Sequence, residues 1–162
     1  MRRAALVLLA LAGTANADDD QRAVDKGNLG VGIILGEPTG ISAKLYLRND
    51  QAIQAAVGGA FIVGGIQFHA DYVFHPFILQ QRDTFVLPLY IGPGIWVLDH
   101  TGNSSEHYFA LGLRGVVGLL FDFKTVPLDA FVEVAGVLDH GFKDNVGNGV
   151  ELNVGAGVRY YF

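Results

Sequence analysis

Residues 150–162 alternate almost without fault between apolar side chains and polar or small ones. One face of this run carries Val150, Leu152, Val154, Ala156, Val158, Tyr160 and Phe162. The other face carries Glu151, Asn153, Gly155, Gly157, Arg159 and Tyr161. A β-strand sends successive side chains to opposite faces, so the run predicts a strand with one apolar face and one polar or small face.

The same alternation recurs along the chain and predicts seven more strands. Their approximate bounds are 28–36, 41–48, 52–61, 66–75, 84–98, 107–123 and 128–138. Strands of this length suit the roughly 9–11 residues that a tilted strand needs to cross a membrane. The predicted fold is therefore all-β, an eight-stranded antiparallel up-and-down transmembrane β-barrel with short loops.

An even number of strands places both ends of the barrel sequence on one side, which is the periplasm in this class of fold. We expect periplasmic turns near 49–51, 76–83 and 124–127, and extracellular loops near 37–40, 62–65, 99–106 and 139–149. Outward aromatic residues gather at the predicted periplasmic ends, as a membrane boundary favours: Phe74, Phe85, Phe121, Phe123, Tyr160 and Phe162. Pro88 and Pro93 cannot donate to a ladder, so we expect a bulge or an irregular stretch in that strand.

Composition separates a membrane barrel from a soluble one. Hydrophobic residues make up 51% of the chain and charged residues 17%, below the roughly 25% usual for soluble domains. A soluble barrel would cover its exterior with its polar face, which should then be dense in charged and hydroxyl side chains. Here that face is mostly glycine with widely spaced charges. A soluble periplasmic barrel that binds an apolar ligand is therefore kept only as an alternative.

The N-terminal segment has the three parts of a secretory signal peptide in the right order: Arg2 and Arg3, the apolar stretch 4–13, and an Ala-x-Ala site at 15–17. We expect residues 1–17 to be a cleaved signal peptide, 18–27 a short periplasmic lead-in, and 28–162 the barrel. The net charge of −5 becomes more negative without the two arginines, so nucleic acid is not an expected partner. The chain has no cysteine, which excludes disulfides and cysteine-ligated metals.

Charged side chains of both signs are predicted to face the barrel interior. The predicted lumen charge network consists of Lys44, Arg48, Asp71, Arg114, Asp122, Asp129, Glu133, Glu151 and Arg159. A buried charge costs several kcal/mol unless it is paired, so the mixture of signs predicts a salt-bridged interior. Eight strands leave a bore only wide enough for side chains to fill, which predicts a plugged barrel rather than a porin.

Polar residues in the loops of one rim allow a different function, a lipid-modifying enzyme. The string VLDH occurs at 97–100 and again at 137–140, on strands that end on the same side. A Ser-His-Asp set is recognised by its geometry, so the sequence leaves open whether the rim residues form a site: Asp99, His100, Ser104, His107, Asp139 and His140. Solvated polar loops are the favoured interpretation, and no catalytic residue is assigned.

Three residues of the fourth strand, His69, Asp71 and His75, share its inward face. Imidazole and carboxylate groups suit zinc or similar metals. Their spacing along the strand means that a third ligand would have to come from a neighbour. A hydrogen-bond network in the lumen is the favoured interpretation, and no metal or cofactor is predicted.

The region after the signal peptide resembles the small eight-stranded outer-membrane barrels, similar to the transmembrane domain of outer membrane protein A. More narrowly, residues 32–47, 69–75 and 155–162 resemble a family of small Gram-negative predicted barrels that has a fold and a location but no established activity. The ending on Tyr160 and Phe162 resembles the signal read by the barrel-assembly machinery. The resemblance implies a monomer in outer-membrane lipid with a structural or envelope-integrity role, and its short loops argue against an adhesin.

Overall fold

The computed structural model describes residues 26–62, 64–101, 107–143 and 146–162. They form eight antiparallel strands that follow one another in chain order around a closed ring. The strands are β1 (Leu29–Gly36), β2 (Thr39–Arg48), β3 (Gln51–Gly59), β4 (Ile66–Gln81), β5 (Phe85–Thr101), β6 (His107–Phe123), β7 (Leu128–Lys143) and β8 (Val146–Tyr161). The predicted all-β, eight-stranded, up-and-down architecture is confirmed. None of the described residues forms a helix long and apolar enough to cross a membrane.

The first and last strands close the ring. Their ladder runs from Gly30 opposite Tyr161 to Gly36 opposite Gly155. Closure removes the free strand edges that an open sheet would expose along this seam. We call the end of the barrel that carries residues 26–28 and Phe162 the lower end, and the end that carries the connections 37–38 and 60–65 the upper end.

The wall of the barrel has unequal height. β1, β2 and β3 contain 8, 10 and 9 residues, whereas β4 to β8 contain 16 or 17. The β1–β8 ladder stops at Gly36, so the part of β8 before Val154 continues at the upper end beside β7 alone. The tall β5–β8 wall therefore rises above the short β1–β3 wall.

Three strands extend through sequence that was predicted to form loops. β4 continues past residue 75 to Gln81, so the predicted turn 76–83 is reduced to 82–84. The polar segment 139–149 is paired, with Asp139 opposite Gly149 and a register shift between His140 and Lys143, so most of the predicted loop belongs to β7 and β8. Glycine and asparagine favour turns locally, but ladder pairing with a long neighbouring strand overrides that preference.

The irregularity expected near the prolines of β5 lies instead in the strand beside them. The β4–β5 register shifts between Phe74 and Phe77 and again between Ile78 and Gln80. Pro88 is opposite Ile78 in this region, whereas Pro93 sits in the regular β5–β6 ladder opposite Gly115. β4 carries the extra residues because bulging it accommodates a partner that lacks an N–H group at Pro88.

Most large aliphatic side chains point out of the ring, and most of the charged side chains that the strands carry point into it. Leu113 is 70% exposed and Val150 is 80% exposed, whereas Lys44 is 0% exposed. This distribution is the reverse of that in soluble proteins, in which lysine is almost never fully buried. The fold thus creates an apolar exterior around an interior that contains charged groups.

The interior has an upper and a lower part. Near the upper end lies an apolar cluster, which we call the upper cluster: Ala60, Trp96, Leu98, Ala110 and Val137. Below it, charged and amide side chains share the space with aromatic rings, among them Tyr90 at 0% and Phe131 at 2% exposure. Side chains therefore occupy the described interior along both parts of the barrel.

Candidate functional site

The middle of the lumen is organised around Arg114 of β6. Its Nε lies 3.0 and 3.2 Å from the two carboxylate oxygens of Asp71 on β4, and its Nη2 lies 2.6 Å from Glu133 Oε1 on β7. All three side chains are nearly inaccessible. One guanidinium thus binds two carboxylates from opposite parts of the ring, which is the planar, multidentate pairing that arginine favours.

Neutral side chains complete the hydrogen bonding of this central cluster. Gln54 Nε2 donates to Asp71 Oδ2 at 3.2 Å and to Glu133 Oε2 at 3.0 Å. The Tyr90 hydroxyl donates to Glu133 Oε2 at 2.7 Å. Arg114 Nη1 donates to Asn153 Oδ1 at 3.1 Å. Buried charges need such partners because each unmet carboxylate lone pair in a low-dielectric interior is costly.

Two glycines create the space for this cluster. A Cβ at Gly118 would lie 2.3 Å from the Tyr90 ring, and one at Gly94 would lie 2.0 Å from Asp71 Oδ1. Tyr90 and Asp71 therefore each lie over a neighbouring strand whose facing residue is a glycine. This explains why the inward face of the sequence alternates between glycine and bulky polar residues.

A second group of ions lies towards the lower end. Arg159 Nε donates to Asp129 Oδ1 at 3.0 Å, and the Tyr161 hydroxyl donates to Asp129 Oδ2 at 2.5 Å. The Arg159 guanidinium lies 4.0 Å from the centre of the Phe131 ring. Lys26, just before β1, forms an ion pair with Asp122.

Lys44 is held differently, by aromatic groups. Its Nζ donates to His75 Nε2 at 2.9 Å and lies 4.9 Å from the ring centres of both Tyr46 and Tyr90. Such cation–π contacts stabilise an ammonium group that has lost water.

The structure brings together most of the charged residues that the sequence predicted for the lumen. Those that are buried inside the ring are Lys44, Asp71, Arg114, Asp122, Asp129, Glu133 and Arg159. Glu151 is only half-buried, and Arg48 is exposed. Arg48 leaves the interior because the β2–β3 register shifts between Tyr46 and Arg48, next to the lower turn.

Sequence reasoning missed the neutral members of this network. Gln54, Gln67 and Asn153 are each at most 4% exposed, and Gln67 Nε2 donates to Asn153 Oδ1 at 3.1 Å. Each occupies an inward position of the period-two pattern. That position was the available signal for them, whereas attention to charge alone passes over amides.

The two VLDH strings point their polar residues in opposite directions. In β5, Leu98 is buried, so Asp99 faces outward and His100 inward. In β7 the inward and outward positions of the string are exchanged. Leu138 and His140 are exposed, while Asp139 is half-buried. The four residues therefore do not converge on one face.

Separate local contacts hold the described rim residues. Asp99 Oδ1 lies 3.6 Å from His107 Nδ1, and both side chains are exposed. The His100 ring stacks on Tyr108 with 4.6 Å between ring centres. His140 Nδ1 lies 2.8 Å from Asn148 Oδ1. Ser104 lies outside the described residues, so the question whether a serine belongs to a rim site is left as the sequence leaves it.

At the lower end of β8, the two residues predicted to form an assembly signal face outward. Tyr160 is 48% exposed and Phe162 is 72% exposed, and their rings lie 5.1 Å apart, edge to face. Tyr161 between them points inward and is 3% exposed.

No protein-family model, curated protein or solved structure matches this chain. The function is therefore inferred from the two faces of the barrel and from its interior.

Proposed function

We propose that the protein is an outer-membrane β-barrel with a filled, non-porin interior and a structural or envelope-integrity role. One observation carries this proposal: the closed ring exposes most of its large aliphatic side chains and buries most of the charged side chains that its strands carry. A closed barrel satisfies its backbone hydrogen bonds internally, which is the condition for crossing a lipid bilayer with strands.

The exterior supports lipid as the partner of this surface. Exposed apolar residues occur on every strand, for example Ile33 on β1, Ile41 on β2 and Leu113 on β6. Soluble monomers rarely expose contiguous apolar patches larger than a few hundred Å². The same distribution argues against the soluble periplasmic alternative, whose apolar face would line an internal ligand cavity.

The interior supports a structural role over a channel. Trp96, Tyr90 and Leu120 are completely buried within the ring, and Arg114 ties three strands together through its contacts with Asp71 and Glu133. Side chains that fill the bore and bind each other across it resist the passage of solutes and stiffen the wall.

Cell fractionation combined with a heat-modifiability gel tests the location and the closed barrel together. We expect the protein in the outer-membrane fraction and a band that migrates differently before and after boiling. A variant with a charge on the outward face, Val134→Arg, should fold less well into vesicles, because a lipid-facing arginine costs about 2–4 kcal/mol at the bilayer midplane. Arg48→Met, at the exposed last residue of β2, serves as the control. A soluble periplasmic band without a boiling shift would contradict the proposal.

Conductance in planar bilayers tests the filled interior separately. The folded barrel should give no large, stable open steps. Steps of porin size from the wild-type protein would show that the side chains do not block the bore, even if the location is correct.

A further inference from the structure

A histidine and two carboxylates meet in the middle of the lumen. His69 and Asp71 come from β4 and Glu133 comes from β7, and one ligand atom from each lies within 4.8 Å of the other two. We propose that these three residues bind a divalent transition-metal ion of the zinc type inside the barrel. The proposal concerns the interior and does not depend on where in the cell the barrel resides.

The spacing of these groups is too wide for direct hydrogen bonds. His69 Nε2 lies 3.9 Å from Asp71 Oδ2 and 3.9 Å from Glu133 Oε1. Hydrogen bonds of this kind are about 2.7–3.2 Å long. Two zinc–ligand bonds of about 2.0–2.2 Å each span such a gap, and on these two sides a contraction of about 0.5 Å would give tetrahedral spacing. The third side, between the two carboxylates, lies within 4.8 Å and closes as both approach the ion. The triangle therefore has the size of an ion site rather than of a hydrogen-bonded triad.

His69 is held in this place without conventional partners. The residue is 2% exposed, and its Nδ1 has no hydrogen-bond partner among the described residues. Buried polar groups in folded proteins are satisfied in the great majority of cases. A metal on Nε2 would join the imidazole to the two carboxylates that this atom faces at 3.9 Å, and Nδ1 would keep its proton without a described partner.

Within this cluster the two carboxylates outnumber the one cation that binds them directly. Asp71 and Glu133 share the single guanidinium of Arg114, which compensates one of two negative charges. The nearby ammonium of Lys44 makes its hydrogen bond to His75 instead. Imidazole together with carboxylate is a donor set that suits zinc and its neighbours in the first transition row.

A fourth ligand is within reach at Gln54. Its Nε2 lies against both carboxylates, whereas its Oε1 is buried and has no partner in the described part of the barrel. The two ends of an amide differ little in shape, so a half-turn of the group would direct Oε1 to an ion held by these carboxylates.

The third proposed ligand is Glu133 of β7, although β4 itself carries a second inward histidine, His75. His75, on the same face of the strand as His69, is engaged by Lys44 and stacks on Tyr46 with 5.6 Å between ring centres. Glu133 replaces it from across the lumen. The sequence of β4 alone could not identify Glu133 as the third ligand, because that role depends on which strand lies opposite β4 in the closed ring.

Cobalt provides the probe, since Co²⁺ bound by nitrogen and oxygen ligands at low coordination number gives visible ligand-field bands. The chain without residues 1–17 is folded from urea into detergent with Co²⁺, and excess metal is removed by gel filtration. We expect one Co²⁺ per barrel and visible bands that Zn²⁺ abolishes by displacement. Folding with the metal present is needed because the site is closed to solvent.

Substitutions test whether the visible bands arise from Co²⁺ bound to the proposed ligands. His69→Gln and Glu133→Gln should each weaken Co²⁺ retention at least tenfold, as loss of a metal partner does, and remove the bands. His140→Gln, at an exposed rim histidine, is the matched control and should leave both unchanged. A heat-modifiability gel on every sample restricts the comparison to folded barrel.

Three results would overturn the metal site. They are folded wild-type barrel that retains no Co²⁺, His69→Gln barrel with undiminished bands, and loss of the bands in His140→Gln. If His69→Gln does not fold, Asp71→Asn takes its place, with the same expected loss.

Discussion

The upper and the lower parts of the interior are filled by different kinds of side chain. In the upper cluster, Trp96, Leu98 and Val137 fill the bore with apolar groups, and the Trp96 Nε1 has no hydrogen-bond partner among the described residues. Below, Arg114, Asp71 and Glu133 fill it with ions. Removing an apolar side chain leaves a cavity, whereas removing an ion leaves its partners charged and unpaired. Residues of the lower part are therefore more dependent on one another.

Arg114→Met gives the largest expected effect in this comparison. It leaves Asp71 and Glu133 buried without their shared cation, which should lower the free energy of unfolding by about 3–5 kcal/mol. Urea unfolding of the barrel in detergent, followed by fluorescence of the single tryptophan, measures this change. Arg48→Met removes the same side chain at an exposed position and should change stability by less than about 0.5 kcal/mol. Equal effects of the two variants would contradict the ionic account of the lower part.

Leu98→Ala tests the upper cluster by the cavity it creates. Leu98 is 1% exposed, and truncation should cost about 3 kcal/mol in the same unfolding measurement. Leu138→Ala, at a residue that is 63% exposed on the outer face, should cost clearly less, because no enclosed cavity forms there. A cost at Leu98 no greater than at Leu138 would show that the upper cluster is not packed.

Tyr90→Phe removes one hydrogen bond from the lower part while keeping its volume. The lost donor leaves Glu133 Oε2 with Gln54 as its remaining described partner, and the expected loss of stability is about 2 kcal/mol. Tyr160→Phe, on the outward face, is the matched control and should be near neutral. Equal free energies of unfolding for Tyr90→Phe and Tyr160→Phe would mean that the ionic network tolerates the loss of a single hydrogen-bond partner.

Asp99→Asn should give the smallest effect. Asp99 and His107 also lie close together, 3.6 Å apart, but their side chains are 58% and 69% exposed. Exposed pairs contribute at most about 0.5–1 kcal/mol and less in salt. A loss comparable with that of Arg114→Met would show that burial is not what distinguishes the two sets of ions.

The period-two pattern of the sequence predicted which face of each strand a residue occupies. That parity placed Asp71, Arg114 and Asp129 inside the ring, because every strand separates the same two environments. It failed for Arg48, where a register shift beside a turn changes the orientation. A bulge of one residue is invisible to a pattern that counts in twos.

Contacts across the lumen lay beyond sequence reasoning for a different reason. Glu133 meets His69 and Arg114 only because the register of four successive strands brings β7 opposite β4 at that height. Each pair of neighbouring strands has its own register, which shifts one strand along the other, and the sequence alone does not give these registers. The bounds of β4, β7 and β8 were missed similarly, since pairing extended all three strands through segments that were predicted to be loops.

The unequal height of the wall has a consequence for the lipid around a barrel of this kind. Strands of 8 to 10 residues on the β1–β3 side just match the length needed to cross a bilayer, whereas the 16 or 17 residues of β5 to β8 exceed it. A bilayer adapts to such hydrophobic mismatch by local thinning on the short side or by tilt of the protein. In the membrane location proposed above, the thinning would fall beside β1–β3, and the tilt of the barrel would change with the length of the surrounding acyl chains.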